Sequence, residues 1–437
     1  MPEISIIMPS LNVAPYIKEC IESVIWQSFK DLEILCIDAG STDGTEEILK
    51  QYALKDSRIT LIHSSIKSYG YQVNMGISRA SGRYIGIVET DDIIHKDMFE
   101  RLYDVIKDTD LDFVKADYDV FFPLNGQYVF YRNSTFSRDK AQYGTVLYGE
   151  RLLDLYEADF ALWKGLYRKS FLTDNGIRLN ESPGAAFQDV GFLIQTFAHA
   201  RKVLYIDQAL YCYRKARDGA SMVSPHCLSY IKGEAAWILE ENIIKKFDAG
   251  NRKACIKRLV SVFLQQYRNA LTLHNFDWQD RLLQDSHKWF SANMDNFIKE
   301  YGVSPEDENV EIWKSYKEAI QEPEIFAQRC KKEFMRKQKY FQELREAGEF
   351  VLFGAGVAGC AFLRDCSIYD ICPGAITDNN ECLWGNKIGG IEIIPLTECM
   401  GRYPAAIYVI TNVRHGHDIE NQLRKAGVPD EQIRYAI

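Results

Sequence analysis

The sequence predicts an α/β protein: a mainly parallel sheet with flanking helices, then a run of helices, then a second, smaller α/β module. Three observations carry this reading. Short apolar runs alternate with helically spaced segments over about the first 90 residues. Polar clusters sit at the carboxyl ends of those runs, at Asn12, at Asp38 to Asp43 and at Glu89 to Asp92, where open α/β sheets take their ligands. A glycine-rich turn, Gly354-Ala355-Gly356-Val357-Ala358-Gly359, follows the apolar run FVLF.

Ile4 to Met8 reads as the first strand, and Pro9-Ser10-Leu11-Asn12 as the loop that ends it. From Pro15 to Trp26, Ile17, Ile21, Val24 and Ile25 share one helical face. Leu32 to Ile37 is a second strand ended by Asp38, and Ser41-Thr42-Asp43-Gly44 turns into a helix carrying Ile48, Leu49 and Tyr52. Ile59 to Ile62 is a third strand, Val73 to Ala80 a short helix stopped by Gly82, and Tyr84 to Val88 a fourth strand. From about 226 to 345, long charged amphipathic segments such as KRLVSVFLQQYRNALTL read as helices. The expected domains are therefore 1–225, a helical region over 226–345, and 346–437.

Composition removes several classes. The 437 residues carry 52 basic and 61 acidic side chains, a net charge of −9, without the basic footprint of a general nucleic-acid binder. At 46% hydrophobic and 26% charged, the chain is neither disordered nor a disulfide scaffold. Eleven cysteines without a C-x-x-C pair point to a reduced, cytoplasmic setting and to no cysteine metal site. The opening MPEISIIMPSLN has no signal-peptide pattern, and no apolar run is long enough to span a membrane.

Glu89-Thr90-Asp91-Asp92 places three carboxylates at a strand end. Such a concentration of like charge calls for a counter-cation or strong solvation. Mg²⁺ or Mn²⁺ would supply the former and bridge to phosphates, and a solvated turn capping the next helix is the alternative. A carboxylate at Asp38 can accept a hydrogen bond from a base or ribose, with turn chemistry, Asp and Ser41 capping a helix, as the alternative; Asp43 reads as such a cap, and Asn12 alone as an Asx turn.

Taken together, PSLNVAPYIKECIESVIWQSFKDLEILCIDAGSTDGT, NMGISRASGRYIGIVETDD, WKGLYRKSFL, NESPGAAFQD and LYCYRKARDGAS closely resemble the family-2 glycosyltransferases over roughly residues 3–225. The resemblance implies a GT-A fold and an inverting, metal-dependent transfer of a sugar from a nucleotide-diphosphate sugar to a hydroxyl of a saccharide or lipid-linked saccharide, in surface polysaccharide or glycan synthesis. By position, Pro9, Leu11 and Asn12 would border the nucleotide and Asp38 would face the base, with Ser41, Asn74, Thr90 and Asp91 completing the donor site. Glu89, Asp91 and Asp92 match the metal motif, with Asp91 the first choice for the direct ligand. Asp189 in FQDV matches the catalytic acid pair, usually Glu-Asp, and would take the acceptor proton. Trp163 and Lys164 match a stretch on the acceptor side; Tyr213 and Arg214 lie in the closing segment. Lys164 and Arg214 would either neutralise phosphate charge or form structural ion pairs.

The chain departs from the family pattern at Leu11 (usually Tyr), Ala39 (usually Asp), Val73 (usually Arg) and Glu89 (usually Asp). The acid and base missing at Ala39 and Val73 suggest an ion pair replaced by apolar packing.

The C-terminal turn is G-x-G-x-x-G in strand–turn–helix context, with Asp378 about 20 residues on, and predicts a Rossmann-like fold. No dehydrogenase base accompanies it, so a structural or assembly role is expected in preference to cofactor binding. A degenerate transferase acting as a scaffold is the competing function class, against which the intact Asp91 and Asp189 speak. The basic run RCKKEFMRKQKY over Arg329 to Tyr340 reads as a solvated helix face or as a contact with an anionic membrane surface, and homo-oligomerisation stays open.

Overall fold

The computed structural model describes every residue except 216–223, 242 and 301–309, so part of the LYCYRKARDGAS motif lies outside the described residues. β1 (Ile4–Ser10), α1 (Ala14–Ile25), β2 (Leu32–Asp38), α2 (Thr45–Ala53), β3 (Ile59–His63), α3 (Tyr69–Arg79) and β4 (Tyr84–Ile87) alternate as the periodicity predicts. β3, β2, β1 and β4 lie side by side and parallel, with Ile6 of β1 opposite both Ile34 and Gly86. Every residue of β1 is buried, which is why it reads as an unbroken apolar run. α3 starts at Tyr69, earlier than the apolar spacing suggests, because Ser68 caps it: its Oγ accepts from the Tyr71 N–H at 3.2 Å.

After β4 come β5 (Ile93–Ile94), α4 (Met98–Ile106), β6 (Phe113–Leu124), β7 (Gln127–Asn133), β8 (Val146–Leu147), α5 (Leu155–Ala158), β9 (Gly165–Arg168), α6 (Lys169–Asp174), α7 (Gln188–His199) and β10 (Val203–Arg214). β9 joins β4 and β6 joins β9, both antiparallel, so the parallel sheet continues as a mixed one through β10 to β5. α8 (Cys227–Glu240), α9 (Ala249–Leu273), α10 (Arg281–Glu300), α11 (Val310–Gln321) and α12 (Pro323–Ala347) are the expected helices. One apolar core runs from Ile7, Leu35, Ile87 and Phe113 through Phe192 of α7 to Leu228, Leu259, Phe263 and Phe290. A second core covers the opposite sheet face with Ile17, Ile21 and Val24 of α1 and Phe99 of α4. No described helix is long and apolar enough to cross a membrane.

The chain forms two compact units: Met1–Tyr118 with Ser134–Tyr213 and Arg217–Cys330, and Asp119–Asn133 with Arg214–Ala216 and Lys331–Ile437. In the second, β11 (Phe350–Phe353), α13 (Val357–Ile368), β12 (Ala375–Thr377), β13 (Lys387–Ile388), β14 (Ile391–Glu392), α14 (Leu396–Arg402), β15 (Ile407–Ile410), α15 (Gly416–Lys425) and β16 (Ile433–Tyr435) follow in order. β12, β11, β15 and β16 make a small parallel sheet in that order. The glycine loop joins β11 to α13. A Cβ on Gly359 would lie 2.0 Å from the Gly354 carbonyl oxygen, so the third glycine is required for the helix to pack on its own turn. Asp378 does not point an open carboxylate at a ligand: it accepts from the N–H groups of Ala355 and Asn380, each at 2.8 Å. The hairpin β6–β7 belongs to this unit from Asp119 onward. Asn125 donates to the Gly389 carbonyl at 3.0 Å, and Arg364 to the Tyr131 hydroxyl at 2.8 Å.

Candidate active site

The loops after β1 and β2 are stitched together by short polar side chains. Asn12, in the left-handed region at φ 53°, accepts from the Thr42 N–H at 2.9 Å while its own N–H donates to Ser41 Oγ at 2.9 Å. The Val13 N–H donates to Thr45 Oγ1 at 2.8 Å and the Ala14 N–H to Asp43 Oδ2 at 2.9 Å. Asp43 thus caps, as its sequence context suggests. Burial works to raise its pKa, but hydrogen bonds from Thr45 and Ala14 outweigh that and hold it below the usual range. Asp38 is buried and accepts four hydrogen bonds from its own surroundings: Ser10 Oγ, the N–H groups of Gly40 and Ser41, and Ser41 Oγ at 2.5 Å. Its carboxylate shapes the loop that would face a base. Pro9 is buried and Leu11 half-buried beside this loop, and Ala39 and Val73 are both buried.

At the end of β4 the carboxylates have different surroundings. Thr90 is buried and donates to the Pro9 carbonyl at 2.8 Å, tying this turn to the β1 loop. Asp92 is fully buried and accepts from the Tyr211 hydroxyl at 2.9 Å; that hydroxyl in turn accepts from the Glu89 N–H at 3.1 Å. Glu89 accepts from the Tyr69 hydroxyl at 2.5 Å. Asp91 is half-buried. Among the described residues, the three carboxylates do not converge on one point as a ready ligand trio. The donor set nonetheless suits a hard divalent cation, because Mg²⁺ sites rest on one or two carboxylates and complete themselves with substrate phosphates.

Asp189 lies in the first turn of α7, two residues after Phe187, whose φ of 65° swings the chain into the helix. The approach to it is held from both sides. Asn74 of α3 clamps Leu179, accepting from its N–H and donating to its carbonyl, both at 2.9 Å, and also donates to Glu181. Gly70 lets the same loop pass: a Cβ there would meet the Asn180 carbonyl at 1.9 Å. Buried Gln188 accepts from the Ala186 N–H at 2.7 Å and donates to Ser182 and Gly184. Asn74 and Gln188 therefore shape the Asp189 loop. Burial raises the Asp189 pKa above the usual carboxylate range, against the charge of Arg258.

Two phenols register both groups of carboxylates. Tyr69 has its pKa pushed up by burial, by Glu89 and by Asp189; Tyr213 by burial and by Asp92, Asp91, Asp189 and Glu89. Tyr69 ties the two groups together in the backbone as well: its hydroxyl donates to Glu89 and its N–H to the Gly184 carbonyl, at 2.9 Å, in the loop before Asp189. Trp163 is stacked on Tyr211 at 4.1 Å and on Tyr213 at 5.5 Å between ring centroids, and Tyr211 is the phenol that binds Asp92.

Lys164 and Arg214 have partners of their own. Lys164 is buried in an ion pair with Asp159 at 2.9 Å, and Asp159 also binds Lys115 at 2.7 Å and the Tyr205 hydroxyl at 2.7 Å. Arg214, in the second unit, lies over Phe121 at 4.4 Å and donates to the Tyr128 hydroxyl at 2.9 Å. Neither is a solvent-facing phosphate clamp.

Sequence reasoning missed Tyr69, Tyr211, Glu234 and Arg258. Glu234 of α8 is buried and accepts from the Gly191 N–H and from Asn180 Nδ2, both at 3.0 Å, so it bridges the two sides of Asp189. Arg258 of α9 is buried, with its guanidinium 3.8 Å from the Phe160 ring centroid, and donates to the carbonyls of Tyr156 and Asp159 at 2.8 and 3.2 Å. The available signal was a single charged residue on the apolar stripe of each helix: Glu234 between Ile231 and Ile238, and Arg258 beside Leu259 and Val262.

A family model described as Glycosyl transferase family 2 matches residues 5–171. The uncharacterized glycosyltransferase EpsJ of Bacillus subtilis is 30% identical over 293 residues, covering 63% of this chain and 78% of that protein. Glycosyltransferase GlyG of Streptococcus pneumoniae is 28% identical over 277 residues, covering 62% of this chain and 89% of that protein. Among solved structures, S. aureus TarS 1-349 in complex with UDP-GlcNAc aligns with a TM-score of 0.50 at 17% identity, over 74% of this chain and 92% of that one, a likeness of fold.

Proposed function

Since the chain belongs to glycosyl transferase family 2 and is a glycosyltransferase, we propose that it moves a sugar, with inversion, from a nucleotide-diphosphate donor to a hydroxyl of a saccharide or lipid-linked saccharide acceptor. What carries this reading is Tyr69, whose hydroxyl donates to Glu89 of the strand-end carboxylates while its N–H donates to the Gly184 carbonyl of the loop that leads into Asp189; on it we read Asp189 as facing Glu89, Asp91 and Asp92. The UDP-GlcNAc bound by TarS agrees with a donor of this class.

The nucleotide lies against the loops fixed by Asn12, Ser41 and Asp43, and the diphosphate beside Asp91. Asp91 would hold Mg²⁺ or Mn²⁺, with Glu89 and Asp92 adding negative charge behind it. When bound, that cation would offset the charge that develops on the leaving diphosphate. Asp189 takes the proton of the acceptor hydroxyl as that oxygen attacks the anomeric carbon. Its raised pKa suits the task, because a base nearer neutrality holds the proton more firmly. Glu234 and Gln188 fix the turn that presents Asp189. Trp163 and Tyr213 offer ring faces to the acceptor. The product sugar chain belongs to a surface polysaccharide or glycan, made on the cytoplasmic side of the membrane.

Asp91→Ala tests the reading. With Mg²⁺ or Mn²⁺ present, donor turnover by a panel of nucleotide sugars should fall at least 10²-fold while far-UV circular dichroism stays unchanged. Turnover near that of the parent protein would remove Asp91 from the site.

A further inference from the structure

A cavity of about 760 Å³ has neither Asp189 nor any strand-end carboxylate in its lining. Three chain segments line it: the loop from Thr135 to Gln142, the turn from Leu153 to Ala158, and the first turns of α9 from Gly250 to Lys257. Its volume lies within the range of small-molecule sites. Its charged lining balances: Arg138, Lys253 and Lys257 against Asp139, Asp154 and Glu157, with Lys257 and Glu157 in contact as an ion pair. A balanced lining of donors and acceptors disfavours a polyanion or a nucleotide, which would select an excess of cations. It favours a neutral ligand dense in hydroxyl groups. An independent observation is Gln142, whose Oε1 is buried and accepts no hydrogen bond among the described residues. The side chain as a whole is half-exposed at the lining, held by its Nε2 on Asp139 at 3.2 Å, and a small rotation would turn that acceptor toward a ligand hydroxyl.

The cavity is linked to the reaction space through its walls. Thr135, on its rim, accepts from Lys164 Nζ at 2.6 Å, and Lys164 follows Trp163 in the chain. Tyr156, on its floor, has its carbonyl held by Arg258, whose charge acts on Asp189.

We propose that this cavity is a second saccharide site, which holds a neutral stretch of the acceptor chain away from the hydroxyl being glycosylated. This rests on the glycosyl-transfer reading above and adds to it a preference for long acceptors. The site binds pyranose hydroxyls through Asp154, Arg138 and Gln142, and neither the donor nor the strand-end carboxylates take part.

The test is a binding measurement without donor. Maltotetraose, cellotetraose and chitotetraose are titrated calorimetrically into the full chain carrying Asp189→Asn, with tetragalacturonate as the charged control. At least one neutral tetrasaccharide should bind saturably, and tighter than tetragalacturonate. Asp154→Ala, an exposed position, and Ser137→Trp, which fills the cavity mouth, should each weaken that binding at least tenfold. Both variants should leave donor hydrolysis without acceptor unchanged. The inference is overturned if no neutral tetrasaccharide binds, if tetragalacturonate binds tighter, or if both variants bind like the parent. Loss of donor hydrolysis in the parent protein would instead count against the transfer reading, so the two failures are distinguishable.

Discussion

Replacing Asp159 by Asn strips one carboxylate from two buried ammonium groups. Lys115 Nζ lies 2.7 Å from Oδ2 and Lys164 Nζ 2.9 Å from Oδ1, and all three side chains are at most 2% exposed. Breaking one buried pair by removing a partner costs about 3–5 kcal/mol. A second cation shares the lost charge here, and the Tyr205 hydroxyl and the Ala161 N–H compete for what Asn can still accept. The expected loss is therefore at the upper end, about 5 kcal/mol, a large part of the ~5–15 kcal/mol that holds a domain folded. Because the chain has two compact units, a global unfolding curve would blend them. The measurement is hydrogen exchange of the α5 and β9 amides, which bracket Asp159. Combining Lys115→Met, Asp159→Leu and Lys164→Met should restore much of the protection, since no buried charge is then left alone. Burial works to raise the Asp159 pKa, but Lys115 and Lys164 outweigh it and hold it well below the usual range. A carboxylate with a depressed folded pKa stabilises above its unfolded value of ~3.9, and that stability is lost as pH falls toward the folded pKa. A cost below about 1 kcal/mol for Asp159→Asn, or equal losses in the single and triple variants, would refute this account of the cluster.

Asp189→Asn should retain donor affinity and lose turnover on the order of 10²-fold or more. In the parent protein the acidic limb of kcat/KM should lie above the ~3.9 of an ordinary Asp, and Arg258→Met should move it higher by removing the opposing cation. Glu234 has its pKa pushed up to about 8, first by burial and further by Asp189, against the hydrogen bonds from Asn180 and Gly191. Its stabilising contribution is complete below the ordinary Glu value of ~4.3 and is lost as pH rises toward 8. Glu234→Gln should therefore gain on the parent in thermal stability at pH 9 relative to pH 5, and an unchanged difference would count against the assignment. Because Asp378 occupies the Ala355 N–H of the glycine loop, the full chain should show no saturable NAD(P) binding by fluorescence titration.

What was legible in the sequence was what lies contiguous along it. Glu89-Thr90-Asp91-Asp92 follows an unmistakable strand, so its place at a sheet's carboxyl end needed only a short continuous apolar run. Asp189 stood out only through the resemblance of FQDV to the family's acid pair; by itself, a turn-rich stretch giving way to a helix marks no more than a cap. The sequence could not show how each polar side chain divides its hydrogen bonds. Asp38 and Asn74 are polar residues beside the site, yet Asp38 accepts from its own loop and Asn74 holds Leu179, 105 positions away. Nor could it show pairs made at long range. Asp159 meets Lys115 across 44 positions, and Glu234 reaches the Gly191 amide across 43, contacts that exist only once the helices have packed on the sheet.

The hairpin of β6 and β7 sets a rule for recombining such enzymes. Leu124 and Val129 lie against Gly389, a position where a Cβ would come within 2.7 Å of Leu124. Residues 119–133 and 214–216 thus travel with the C-terminal module although they are encoded inside the transferase. A splice at residue 331 would graft a module lacking Leu124, Val129 and Tyr131, and would leave those buried side chains uncovered in the recipient. An exchange between relatives that respects the physical seam needs five crossovers, two around each inner segment and one at residue 331, and the module is inherited with the hairpin or not at all.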